Sequence, residues 1–315
     1  MSEYLVTGGA GFIGGHLAER LVRDGKSVRI LDNFSSGREA NLCSWGDRAE
    51  IIRGDIRDRT AVTRAMNGVR VVFHLAALPS VPKSVADPLT SHDINVNGTL
   101  NVLVAARDAR VQRLVFSSSS AVYGDSPDLP KREDMTPTPI SPYGLHKLVG
   151  EQYGQLFTRT YGLQTVSLRY FNVYGPRQDP QSEYAAAIPK FITCLLAGRP
   201  PTVFGDGEQT RDFTYVANVV DANLAAAAAG PEAVGQTCNI AGGRRISVNE
   251  LIATLGNILG SSIATAYAPP RPGDVLHSLA DIAKAKRLLG VAARVESAEG
   301  LRRTVEWFRQ QCPAS

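Results

Sequence analysis

The chain is poor in residues that would staple, anchor or metallate it. Four cysteines in 315 residues, Cys43, Cys194, Cys238 and Cys312, stand far apart with no Cys-x-x-Cys spacing, and the five histidines are scattered. This gives no disulfide framework and no metal-ligand cluster, so free thiols in a reducing cytoplasm and no bound metal are expected. Long apolar runs are also missing. The alanine run at 225–229 is far too short to cross a bilayer, so no membrane partner is expected. A strand-like segment starts within three residues of Met1, which leaves no room for a signal peptide. There is no basic block or lysine-rich tail. The net charge of +4 is spread along the chain, which argues against a nucleic-acid partner. No linker, repeat or low-complexity tract other than the alanines is visible.

What is present fits a soluble α/β protein with a real core: 43% hydrophobic and 20% charged residues. Segments 4–7, 27–31, 50–53, 69–75, 113–117 and 165–171 are rich in Val, Ile, Leu and Phe and read as strands. Between them 14–24, 58–66, 88–108 and 142–160 read as helices. This alternation predicts a Rossmann-type, doubly wound parallel sheet with right-handed crossovers. After Asn172 the texture becomes Pro- and Gly-punctuated, with shorter helices at 184–197, 216–229, 247–259, 281–289 and 298–311. The expected division is a dinucleotide-binding part, 1–172, that carries the catalytic residues. A smaller α/β part, 173–315, would mainly bind substrate.

Gly8, Gly11 and Gly14 form Gly-x-x-Gly-x-x-Gly, directly after a strand and opening a helix that includes Phe12 and Ile13. Such glycines permit a tight turn, close backbone approach to a pyrophosphate and close helix–strand packing, with the helix N-terminus facing the phosphates. Asp32 ends the next strand, followed by Asn33. A carboxylate there accepts hydrogen bonds from the adenosine ribose and repels a 2′-phosphate, which favours NAD over NADP; a surface turn is the alternative. Asp55 and Ile56 follow the third strand. Leu75, Ala76 and Ala77 end the fourth with small residues that admit a cofactor. For Asp55 and Asn95 a turn or cap role competes with a cofactor role.

Tyr143 and Lys147 stand at i and i+4 just after Pro142, on one face of a helix. An ammonium beside a phenol stabilises phenolate and makes a general base. A surface pair with the tyrosine in the core remains the alternative. The Ser117-Ser118-Ser119-Ser120 run after the fifth strand places hydroxyls at the carboxyl edge of the sheet, though four serines also suit a flexible loop.

These separated motifs resemble an extended short-chain dehydrogenase/reductase of the NAD-dependent epimerase/dehydratase family, from Leu5 to about Leu289, most similar to its UDP-hexose 4-epimerases and their N-acetylglucosamine branch. The resemblance implies Ser119 on the sugar O4, Tyr143 as acid/base and Lys147 as its partner. It implies cofactor contacts from Asn33, Ser35, Ser36, Gly37, Asn95, Ser117, Tyr170 and Phe171. Substrate contacts are implied for Pro79, Asn172, Ala187, Ile188, Phe204 at the uracil, Arg211 and Arg271 at the pyrophosphate, Asp274, and Ser278 beside the sugar. Relatives that dehydrate carry acidic residues where this chain has Ser120-Ala121, which favours simple C4 epimerisation. Gly15, His146 and Pro79 depart from the usual Ser, Ser/Thr and Gly/Lys. The resemblance also implies a homodimer that pairs helices 88–108 and 142–160 as a four-helix bundle, with Leu100, Leu103, Val104, Leu148, Tyr153 and Phe157 at helical spacing for it; packing of these residues on the sheet is the alternative. A UDP-glucuronate-type 4-epimerase, a 4-reductase or dehydrogenase, and a non-catalytic NAD sensor are the rival readings.

Overall fold

A computed structural model describes residues 2–180, 187–270 and 276–311. Seven parallel strands form the central sheet: β1 (Tyr4–Thr7), β2 (Val28–Asp32), β3 (Glu50–Arg53), β4 (Val71–His74), β5 (Arg113–Ser119), β6 (Gln164–Tyr170) and a seventh, Gln236–Ile240. Their spatial order runs seventh-β6-β5-β4-β1-β2-β3. All pairs are parallel and in register, with Tyr4 opposite both Val28 and Val71. β2 and β4 are buried along their whole length, as a sheet covered on both faces requires.

Helices cover the two faces. Helix α1 (Phe12–Arg23) lies beside the Val216–Ala228 helix over a core of Leu17, Ile30, Phe73, Val115 and Val219. On the other face α2 (Arg59–Met66) and a later helix, Gly98–Asp108, close over Leu5, Val62, Val72, Leu103 and Phe157.

The expected single helix at 88–108 is three pieces: Pro88–His92, a π-helical turn at Asp93–Asn97, and Gly98–Asp108. The widened turn accompanies Asn95, whose side chain bonds Leu78 in the loop after β4 as well as Ser91 one turn back, and Thr99 Oγ1, which donates to the Asn95 carbonyl at 2.7 Å. A short helix at Val81–Ala86, capped by Ser80, precedes them and was not foreseen. Helix Pro142–Tyr161 begins where Pro142 and the Ser141 cap dictate, and it ends at Gly162 in left-handed conformation.

The sheet does not stop at residue 172. Its seventh strand and the Val216–Ala228 helix both return from the second part of the chain. That strand, Gln-Thr-Cys-Asn-Ile, has only two apolar residues, Cys238 and Ile240, too short an alternation to stand out in the sequence. It is held by pairing to β6 and by its buried Asn239. The rest of the second part packs helices Ala187–Leu196, Val248–Leu259 and Ser297–Gln311 around Phe191, Leu251, Leu255 and Phe308, with Phe12 and Ile13 of α1 against that core.

Candidate active site

The strand order reverses between β1 and β4, and a parallel sheet binds ligands in the crevice outside the strand ends at such a point. The glycine turn follows β1, and Leu75, Ala76 and Ala77 follow β4. Gly8 has φ +70°, and a Cβ there would lie 2.8 Å from the Ala76 nitrogen. A Cβ on Gly14 would lie 2.1 Å from the Gly8 carbonyl oxygen. Helix α1 starts at Gly11 with no side-chain cap and no acid in its first turn, so its N–H groups and positive end are open to an anion. This cradle fits a dinucleotide pyrophosphate.

Asp32 is buried and tightly held. Its Oδ2 accepts from the Ala10 N–H at 2.9 Å, and its Oδ1 from the Phe34 N–H at 2.8 Å. The carboxylate thereby fixes the glycine turn against the loop of Asn33, Ser35, Ser36 and Gly37, and keeps lone pairs for ribose hydroxyls. Asn33 donates to Asp55 at 2.8 Å. Asp55 is chiefly the partner of Arg57, whose guanidinium and backbone hold it at about 2. Ile56 is buried. Asn95 spends its amide on Leu78, accepting at 2.8 Å and donating at 3.2 Å, so it shapes the loop that carries Pro79, which is exposed.

Tyr143, Lys147 and Ser119 meet at the carboxyl end of β5. The Ser141 cap and Pro142 aim the first turn of their helix, and the Tyr143 N–H donates to Ser84 Oγ at 3.1 Å. Gly144 lets that turn approach the serine segment; a Cβ there would sit 2.6 Å from the Ala121 carbonyl oxygen. Ser119 caps a 3-10 turn at Ser120–Tyr123 and accepts from the Ala121 N–H at 3.2 Å. The Lys147 ammonium donates to the Ser117 carbonyl at 2.7 Å and lies 5.8 Å from the Tyr143 ring centre. Burial pushes the phenol up to about 12, opposed by a hydrogen bond with Ser119. Burial also pulls the Lys147 ammonium down to about 8, opposed by Glu151. The protein alone thus holds Tyr143 protonated. A positive ring beside it would favour phenolate, which is the electrostatic role a nicotinamide fills.

Beneath this group lies a network that pattern reading missed. Glu151, one turn beyond Lys147, pairs with Arg169 of β6 through 2.9 and 2.8 Å contacts and accepts a short hydrogen bond from Ser118. Its signal was the i+4 spacing from Lys147. His74 lies between Thr7 Oγ1 at 2.8 Å and Thr99 Oγ1 at 3.0 Å. Burial lowers it to about 3, so it stays neutral and ties β1 and β4 to the Gly98–Asp108 helix.

Two expected cofactor residues turn inward. The Tyr170 hydroxyl donates to Asn223 at 2.9 Å, and Phe171 is fully buried among Val122 and Tyr123, so neither side chain faces the crevice. Ile188 is likewise in the core of the second part, with Ala187 half-buried at the same helix start. Asn172, at φ +35°, donates to the Asp212 carbonyl at 3.0 Å and joins the two parts. Phe204 is half-buried at the end of strand Thr202–Phe204. Arg211 donates to the carbonyls of Thr210 and Leu276 at 3.0 and 3.1 Å, and the Ser278 N–H donates to the Thr210 carbonyl at 3.1 Å, which brings Arg211 and Ser278 to one strand edge. Arg271 and Asp274 lie outside the described residues. Asp212 was also missed. It is wholly buried, accepts from the Gly242, Gly243 and Ala280 N–H groups at 2.9, 3.1 and 3.2 Å, and is pushed up to about 6 by burial.

The model of the NAD dependent epimerase/dehydratase family matches residues 4–241. The chain belongs to this family. It is 43% identical over 307 residues to a protein of Methanocaldococcus jannaschii named a putative UDP-glucose 4-epimerase, covering 97% of this chain and 98% of that one. Among solved structures, the UDP-N-acetylglucosamine 4-epimerase of Methanobrevibacter ruminantium, in complex with UDP-N-acetylmuramic acid, superposes with a TM-score of 0.94. It is 41% identical and covers 99% of this chain and 100% of its own. The UDP-glucose 4-epimerase of Thermotoga maritima, with UDP-glucose, superposes at 0.93 with 41% identity, over 98% of this chain and 99% of that one. Among the described residues no helix is long and apolar enough to cross a membrane.

Proposed function

We propose that this family member is an NAD-dependent UDP-hexose 4-epimerase that interconverts gluco and galacto sugars, UDP-GlcNAc with UDP-GalNAc and also UDP-Glc with UDP-Gal, through a 4-keto sugar. The convergence of Ser119, Tyr143 and Lys147 at the mouth of the dinucleotide crevice carries the reading, and a non-catalytic sensor has no use for that base. NAD, held by the glycine turn and Asp32, supplies a reversible hydride acceptor. Tyr143 takes the proton from the sugar O4 and returns it, while the Ser119 hydroxyl holds that oxygen. Lys147, tied to Ser117 and in reach of Glu151, supplies the charge that favours phenolate. Phe204 and Arg211 in the second part stand for the uracil and the pyrophosphate, with Arg271, Asp274 and Asn172 assigned to the nucleotide by the family pattern. No acid stands at Ala121, so the residues present support no proton transfer at C5.

The pocket is assigned room for an N-acetyl group at Ser278, where a small, half-buried side chain leaves space. The test is incubation with UDP-GlcNAc, UDP-Glc and UDP-glucuronate, followed by NMR of the anomeric signals. The first two are expected to give C4 epimers with no net NADH. Net reduction of NAD would instead mark a dehydrogenase, net oxidation of added NADH a reductase, and conversion of UDP-glucuronate alone the uronate branch. Ser278→Tyr should depress UDP-GlcNAc turnover and spare UDP-Glc, because a clash rejects the larger sugar without any new attraction. A reducing cytoplasm suits this enzyme, with Cys43, Cys194 and Cys238 as free thiols.

The enzyme is assigned as a homodimer. Leu103 and Phe157, expected at the interface, are core residues, and Leu100, Val104 and Tyr153 lie at the edge of that core. The outward apolar side chains of helix Pro142–Tyr161 include Leu145 and Leu156, at 49% and 43% exposure, flanking Val149 and Tyr153, with Tyr161 exposed at the helix end. That stripe and the neighbouring Leu100 and Val104 are the faces for helix pairing with a second copy.

A further inference from the structure

Residues 175–180 follow the short strand Val173–Tyr174 and are fastened across the cofactor side of the molecule by side chains that the reaction does not use. Arg177 sits at φ +67°, a left-handed backbone region costly for any residue with a Cβ. Its guanidinium donates to His16 Nδ1 at 2.6 Å and Glu19 Oε2 at 2.6 Å on α1, and to the Asn41 carbonyl at 3.2 Å. His16 Nε2 is 2.9 Å from the Pro176 carbonyl. A guanidinium only donates and a carbonyl only accepts, so His16 must carry its proton on Nε2 and accept at Nδ1. Burial and the neighbouring Arg177 lower it to about 4, which keeps it in that neutral form. Next along the segment, Asp179 pairs with Arg38.

The far anchors belong to the glycine turn. The Arg38 N–H and the Asn41 side-chain amide both donate to the Ala10 carbonyl, at 2.9 and 2.8 Å, and the Ala10 N–H is held by Asp32. The near end starts at Asn172, just past β6. Between β6 and β2 lie four strand spacings, or about 19 Å. The seven Cα steps from Asn172 to Asp179 would reach at most about 25 Å if fully extended. The segment turns at 175–178, where the Gln178 N–H donates to the Gly175 carbonyl at 3.4 Å, and its Arg177 and Asp179 side chains bridge from the β6 side to α1 and to Arg38 on the ribose side.

We propose that Arg177 is a positioning residue, and that the segment it pins, 175–180, is a strap that fastens the glycine turn and the ribose loop around the bound NAD and slows its release. An epimerase reuses one NAD for many turnovers, so slow release serves the reaction, whereas a dehydrogenase must exchange it. The proposal rests on NAD occupying the glycine-turn site and is indifferent to which sugar is turned over. Opening the site requires the guanidinium to leave three acceptors at once, and the left-handed backbone at Arg177 persists only while they hold it.

The test is the NAD dissociation rate of the holoenzyme, followed by displacement with excess of a fluorescent NAD analogue, with NAD content after gel filtration as a second readout. Arg177→Gln, which cannot span the three acceptors, is expected to release NAD roughly tenfold faster, about the loss of one charge-assisted contact. Arg177→Lys should restore part of the retention, because it keeps the charge but not the fork. Glu19 on α1 is half-buried and also pairs with Arg23; if Arg177→Gln does not fold, Glu19→Gln decides. It removes the charge from one acceptor and should speed release about threefold. A release rate within twofold of the parent in the folded Arg177→Gln protein, or, if that variant does not fold, an unchanged rate in Glu19→Gln, would overturn the proposal. Absence of activity on every UDP-sugar would instead strike the epimerase reading and leave the release rates readable.

Discussion

At the scale of single residues, the site separates groups that do chemistry from groups that hold them. Tyr143 is the only phenol in reach of both Ser119 and Lys147 among the described residues, so Tyr143→Phe should lower kcat by roughly 10²–10⁴-fold, the usual share of a general acid–base. NAD binding, read by calorimetry, should persist. Near-normal turnover would remove Tyr143 from its role. Asp212 does no chemistry, yet it carries a pH signature. Its carboxyl titrates near 6 in the folded protein against 3.8 unfolded, so the native state holds an extra proton between these values. Stability from this group is therefore present below about pH 4 and is withdrawn as pH rises to about 6, by roughly 3 kcal/mol. Asp212→Asn should abolish that step in the difference between urea-unfolding free energies at pH 4.5 and 7.5. Parallel pH curves for parent and variant would contradict it.

Among the elements, helix Pro142–Tyr161 matters most, because it carries Tyr143, Lys147 and Glu151 on one face over β5 and β6. Its start was legible: Ser141 and Pro142 are a cap and a first-turn proline, and the structure begins the helix there. The ion pair beneath it was not legible, because Arg169 is 18 residues away on strand β6 and only the packing of the helix on the sheet brings it to Glu151. Both side chains are nearly inaccessible, at 4% and 3%. Glu151→Ala leaves a buried guanidinium without its counter-ion and should cost about 3–5 kcal/mol in chemical denaturation, far more than an exposed pair is worth. A loss under 1 kcal/mol would show that water replaces Glu151. The helix at 88–108 failed as a single element for a related reason. Its apolar spacing was helical throughout, but Asn95 bonds the loop after β4, and the backbone widens there to let it.

For the molecule as a whole, the question is which apolar faces remain after folding. Periodicity placed Leu103 and Phe157 on helix faces correctly, but could not say whether those faces met the sheet or a second copy; the fold buries them. The faces left over include Leu145 and Leu156, exposed at helical spacing. Light scattering at micromolar concentration should give twice the 33.8 kDa chain mass, and Leu145→Arg with Leu156→Arg should give a monomer. A parent protein that is already monomeric would contradict the pairing.

The sequence by itself determined whatever depends on neighbours along the chain: the strand–helix alternation, the glycine turn, the Asp32 position at a strand end, and the four-residue step from Tyr143 to Lys147. These are set by local backbone sterics and helical or strand periodicity, which a linear pattern carries. Tertiary structure decided what depends on distance through space. It brought the strand Gln236–Ile240 back beside β6, turned Tyr170 and Phe171 inward, gave Asn95 to Leu78, and joined Arg177 to His16 across 161 positions. A polar side chain that is buried must find a partner wherever the fold places one, and that partner is chosen by packing in three dimensions.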